Sequence, residues 1–72
     1  MKINPMYTTQ NGETVLAGET VTVETTQYAG PTRFAEFRKY DDVNDIVFVR
    51  FAFDRKMSAL DPAQYRITYI GE

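Results

Sequence analysis

Ile46-Val47-Phe48-Val49-Arg50-Phe51-Ala52-Phe53-Asp54 is the stretch whose reading decides the fold class. Val47, Val49, Phe51 and Phe53 fall at every second position, the period of a strand with one buried face. Asp41-Asp42-Val43-Asn44-Asp45 stands just before it as a dense turn signal. The run therefore reads as a core strand carrying Phe48 and Arg50 on its opposite face. The chain is expected to be mostly β.

Working backwards, the segment Thr32 to Tyr40 folds onto this strand through the five residues Asp41 to Asp45. That hairpin sets Glu36 against Arg50, Phe37 against Val49, Ala35 against Phe51 and Arg38 against Phe48. Each is a favourable cross-strand pair worth roughly 0.2–1 kcal/mol. A helix over 32–40 is the alternative, because Phe34, Phe37 and Tyr40 recur every third residue. Arg33 would then open the helix while Asp41 and Asp42 followed it, each end opposing the helix dipole by about 0.3–1 kcal/mol. The hairpin is the preferred reading. The helix would instead give a ubiquitin-like or protein-G-like ββαββ fold.

Further out, Asn11-Gly12 is a strong hairpin dipeptide between Met6-Tyr7-Thr8-Thr9 and Glu13-Thr14-Val15-Leu16. Glu19 to Thr26 alternates with Val21 and Val23 inward, and Tyr28-Ala29-Gly30-Pro31 is a loop. After a short strand from Lys56 to Leu60, Asp61-Pro62 has the pattern of a helix N-cap followed by Pro at the first helical position. One helical turn through Tyr65 is expected there, then a last strand over Arg66 to Ile70.

Seventy-two residues make one domain near the lower limit for a self-sufficient core. The 43% hydrophobic and 25% charged composition is that of a folded chain. Small folds often need a staple. With no Cys and no His, neither disulfides nor the usual zinc ligand sets are open to this one. Dense aromatic packing or self-association must serve. The same absences exclude Ser-His and Cys-His catalytic pairs. Asp41, Asp42 and Asp45 do not have the spacing of a calcium loop and read as a solvated turn. No apolar leader or membrane-length run is found, so a cytoplasmic protein is expected. The net charge of −2 disfavours bulk attraction to nucleic acid.

Five to six short antiparallel strands with one helical turn near Pro62 resemble the SH3-like small barrels, including the Tudor, chromo-barrel and KOW-type modules. The resemblance rests on Ala17-Gly18-Glu19-Thr20-Val21-Thr22-Val23, Phe34-Ala35-Glu36-Phe37, Val47-Phe48-Val49-Arg50-Phe51 and Ser58 to Ile67. It implies a barrel over residues 17–70, with residues 1–16 as an added N-terminal hairpin. It also implies an aromatic cage for a cation, at Tyr28, Phe34, Phe51 and Phe53. The family's Gly after the third strand is missing from Phe53-Asp54-Arg55-Lys56. The plasmid-type trimethoprim-resistant dihydrofolate reductase is similar in length and strand order. Its Val-Gln-Ile-Tyr pore segment, however, corresponds to Met57-Ser58-Ala59-Leu60 here.

The functional expectation is a non-catalytic module with no cofactor, binding a protein partner or a second copy of itself. Its binding face carries Phe48, Arg50, Arg38, Tyr40 and Phe34, since aromatics and Arg are enriched at interface centres. The aromatic cage at Tyr28, Phe51 and Phe53 is the competing site. Single-stranded nucleic acid stacking on the rings is the alternative ligand, and the pore enzyme is a remote one. A bare module of this kind is also the form of small phage- or plasmid-encoded proteins that occupy a host protein's surface.

Overall fold

A computed structural model describes residues 3–27 and 30–71. They form eight strands and no helix: β1 (Ile3–Asn4), β2 (Met6–Thr8), β3 (Thr14–Leu16), β4 (Thr20–Thr25), β5 (Arg33–Asp41), β6 (Ile46–Phe51), β7 (Met57–Leu60) and β8 (Tyr65–Gly71). All pairings are antiparallel. The main sheet runs β7-β6-β5-β4-β8, with β1 added to the far end of β5, while β2 and β3 form a separate hairpin. β7 and β8 stand at opposite ends of this order, so the sheet does not close on itself.

Strand alternation decides what is buried. Val21 and Val23 of β4, Ala35 and Phe37 of β5, and Val47 and Val49 of β6 all turn to one face and are buried. Their registers bring Phe37 opposite Val49 and Val21 opposite Ala35. Leu60 and Ile67 complete that layer. Tyr7 and Val15, from the β2–β3 hairpin, cover it from above, with the Tyr7 ring 6.3 Å from Phe37. Within the chain, the N-terminal hairpin thus adds aromatic packing over this small core.

Asn11-Gly12 sits at the tip of that hairpin, as expected. Gly12 N donates to Thr9 O at 2.9 Å, and Thr9 N donates to Glu13 O at 2.8 Å. Gly18 then links hairpin to sheet at a φ of 95°, where any side chain would be strained. Its N–H reaches Phe37 O at 2.8 Å, and Phe37 N reaches Glu19 O at 2.9 Å.

The strand reading of 34–40 holds, and the helix alternative over 32–40 falls, since Arg33–Asp41 is one continuous strand. Ala35–Phe51, Glu36–Arg50 and Phe37–Val49 pair as expected. The expected Arg38–Phe48 pair does not form. A β-bulge at Arg38 makes Lys39 the partner of Phe48, because two residues of β5 face one of β6 there.

The helical turn at Pro62 is also corrected. Asp61 does cap the segment, its Oδ1 accepting from Ala63 N at 3.0 Å and its carbonyl from Gln64 N at 2.9 Å. The result is a hydrogen-bonded turn and no helix, because Tyr65 is already paired with Thr25 in β8. No helix among the described residues is long and apolar enough to cross a membrane.

Candidate functional site

The proposed binding face divides at the bulge. Every residue beyond Arg38 on β5 is shifted by one position, which exchanges the two sides of the strand. Tyr40 therefore lies opposite the buried Val47, on the core side, with its ring 4.9 Å from Tyr7. Its hydroxyl donates to Asp45 Oδ1 at 2.7 Å. Arg38 is exposed at the bulge and pairs with its own neighbour, its Nη1 lying 3.2 Å from Glu36 Oε2. Phe48 is half-buried, flanked by Ala59 on β7 and Lys39 on β5. The Lys39 ammonium lies 5.0 Å from its ring centroid. Tyr40 thus lies on the side of the sheet opposite to Phe48. Arg50 and Phe34 remain exposed towards the other end of the hairpin.

The expected core face of β6 runs out at that same end. The strand stops at Phe51, and Ala52 to Arg55 form a turn in which Arg55 adopts a φ of 58°. Arg55 N donates to Phe51 O at 2.8 Å, and Lys56 N to Asp54 Oδ1 at 2.9 Å. Phe53 is thereby carried out of the core and is 58% exposed. It meets the half-buried Phe51 edge-on, at 5.3 Å and 83°. The guanidinium carbon of Arg33 lies 4.5 Å from the Phe53 ring centroid.

These rings border a cleft of about 260 Å³ whose lining includes Val23, Glu24, Arg33, Phe51, Phe53 and Tyr65. Phe34, 57% exposed, lies outside this cleft and lines a neighbouring hollow with Arg33, Ala52 and Phe53. On its other side a shallower hollow is bordered by Arg50 and Arg55. Two of the expected cage residues, Phe51 and Phe53, thus meet one of the expected face residues, Phe34. Tyr28 lies outside the described residues. Arg33, Tyr65 and Arg55 were not among the residues singled out as a site. Their contribution depends on where β6 ends and on the Val23–Arg33 and Thr25–Tyr65 registers. The Asp54-Arg55-Lys56 polar run after Phe53 was the one local sign of that end.

The acidic loop at the opposite end is a closed structure. Asp41 is buried, and its oxygens accept from Val43 N at 3.0 Å, Asn44 N at 3.3 Å and Asn44 Nδ2 at 2.9 Å. The hydrogen bond from the Asn44 side chain, ahead of those from the backbone, holds the Asp41 carboxyl below its usual value of 3.8. Asp42 accepts from Asn4 Nδ2 at 2.9 Å. The Tyr40 hydroxyl, held by Asp45 and then by burial, has its pKa pushed up to about 12. Each of the loop's three carboxylates is engaged in holding the turn, and no group of three or more such side chains among the described residues could hold a metal ion.

The aromatic end thus gathers a cleft bordered by rings, the exposed Phe34 and Phe53, and the cationic side chains of Arg33, Arg50 and Arg55. No family model matches the chain, and neither does any curated protein or solved structure.

Proposed function

We propose that this chain is a non-catalytic protein-interaction module of the SH3-like type, which takes a segment of a partner protein at the aromatic end of its sheet. In this reading Phe34 and Phe53 make the contact, Phe51 and Tyr65 form the floor, and Arg33 and Arg50 set the orientation. The strand order β7-β6-β5-β4-β8, with the last strand beside β4, supports the SH3-like assignment.

One observation carries the functional reading. Phe34 and Phe53 line one hollow and are each more than half exposed, although a buried Phe gains about 1.5–3 kcal/mol over an exposed one. Scattered exposed rings are ordinary, but adjoining ones beside a cleft mark an interaction surface. Arg and aromatic side chains are also the types that carry most interface energy.

Selection of displayed random peptides on the wild-type protein and on the Phe34→Ser/Phe53→Ser variant tests this. Enriched peptides that the variant no longer retains support the reading. Peptides retained equally by both proteins, or no enrichment at all, remove it. Self-association abolished by the same variant would make the occupant a second copy of the chain.

A further inference from the structure

We infer that the segment taken at this end is acidic: an aliphatic or aromatic side chain enters the cleft while carboxylates on either side meet Arg33, Arg50 and Arg55. The inference rests on the interaction reading above and adds the charge of the ligand.

The electrostatics of the rim support it. Among the described residues Arg33, Arg50 and Arg55 form no ion pair, and Lys56 stands beside them in the same turn. Of the nearby carboxylates, Glu36 is paired with Arg38. Asp54, which caps the Lys56 N–H, and Glu24, which lines the cleft and accepts from the Thr32 hydroxyl at 3.4 Å, keep their charge, so the four cations Arg33, Arg50, Arg55 and Lys56 outnumber the two unpaired carboxylates at this end. A chain with a net charge of −2 thus gathers unpaired guanidinium groups around its exposed rings. A guanidinium presents a rigid fork of donors that fits a carboxylate with two parallel hydrogen bonds.

The same geometry disfavours the cationic ligand that an aromatic cage implies. A cage needs an open ring face for the incoming cation. Here the chain's own Arg33 already lies over Phe53. A methylated lysine or arginine would find that face taken and would meet cations of its own sign. The 83° between Phe51 and Phe53 makes an angular recess, suited to one branched or aromatic side chain. Successive nucleic-acid bases instead need flat platforms along a continuous basic track.

Fluorescence anisotropy with three labelled probes tests the inference: a peptide with one leucine among glutamates, the same peptide with lysines for glutamates, and a deoxythymidylate oligonucleotide. The glutamate peptide should bind at least about tenfold more tightly than the other two and weaken as salt is added. The Arg33→Gln/Arg50→Gln/Arg55→Gln variant, verified as folded by thermal melting, should lose about tenfold for the glutamate peptide. Tighter binding of the lysine peptide overturns the charge assignment and leaves the interaction reading intact. Preference for the oligonucleotide overturns both. If none of the probes binds while displayed peptides still depend on Phe34 and Phe53, the ligand is uncharged and the inference fails alone. If neither experiment finds a ligand, the interaction reading fails with it.

Discussion

The two ends of the β5–β6 hairpin are built from similar residue types and put to opposite uses. At the loop end the rings of Tyr40 and Tyr7 pack 4.9 Å apart, Tyr40 donates to Asp45, and Asp41 accepts from Val43 N and Asn44 Nδ2. At the other end, Phe34 and Phe53 are more than half exposed, and among the described residues Arg33, Arg50 and Arg55 form no ion pair. A buried or capped polar group is worth about 0.5–1.5 kcal/mol to the fold only when its partner is present. The loop end contributes to stability in this way. The aromatic end leaves its equivalent groups exposed, which is what the proposed binding of an outside segment would draw on.

The largest expected effect lies between the two ends. Phe37 is fully buried beneath Tyr7 and opposite Val49. Phe37→Ala should cost about 3–5 kcal/mol. At ~0.05–0.15 kcal/mol of stability per residue, a chain of 72 residues has roughly 4–11 kcal/mol in total, so this loss is a large share of it. Urea denaturation followed by circular dichroism should show the midpoint shifted far towards zero denaturant. A loss below about 1 kcal/mol would mean that the hairpin and sheet do not share one core.

The difference between the ends was half legible in the sequence. Period-two alternation located Val21, Val23, Val47 and Val49, and matched charges gave the Glu36–Arg50 register. The bulge at Arg38 had no local signature. It turns Tyr40 inward onto Tyr7, a residue far earlier in the chain, so its cause is a tertiary contact and not a β5 preference. Alternation also carried Phe53 into the core by extrapolation. The strand in fact ends at Phe51, where Asp54 caps a turn and Arg55 takes a left-handed conformation. Both errors concern where a strand's period is interrupted, and both fell on the candidate site. The helical turn at Pro62 failed for a related reason: the cap was legible, but the claim of β8 on Tyr65 was not.

An intermediate effect is expected at the loop end. Tyr40→Phe keeps the ring on Tyr7 and removes the hydrogen bond to Asp45, so about 1 kcal/mol of stability should be lost, with peptide binding unchanged. Alkaline pH probes the same bond. Tyr40 has a folded pKa of about 12 against an ordinary value of 10.0, so the neutral phenol is favoured in the folded state. Its contribution is complete below pH 10 and is lost as pH rises from 10 towards 12. Melting temperature should fall across that window, and less so in Tyr40→Phe. Some dependence should persist there, because burial, with a smaller effect of Asp45, also raises the pKa of Tyr7. Identical pH profiles for the two proteins would show that the Tyr40–Asp45 bond contributes nothing.

The smallest expected change in stability belongs to the aromatic end, and it separates the two ends most sharply. Phe34→Ser removes a ring that is more than half in water and should alter stability by no more than about 0.5 kcal/mol. Phe53→Ser also gives up an edge contact with Phe51 and the cover from Arg33. It should therefore be the costlier of the two, by the roughly 0.5–1 kcal/mol that an exposed cation–π pair contributes. Both variants should nevertheless lose the peptides selected by the wild-type protein. Tyr40→Phe must give the reverse pattern, weaker folding with intact binding. If Phe34→Ser instead melts the protein by several degrees, the ring is holding β5 against its neighbours, and the aromatic end serves the fold just as the loop end does.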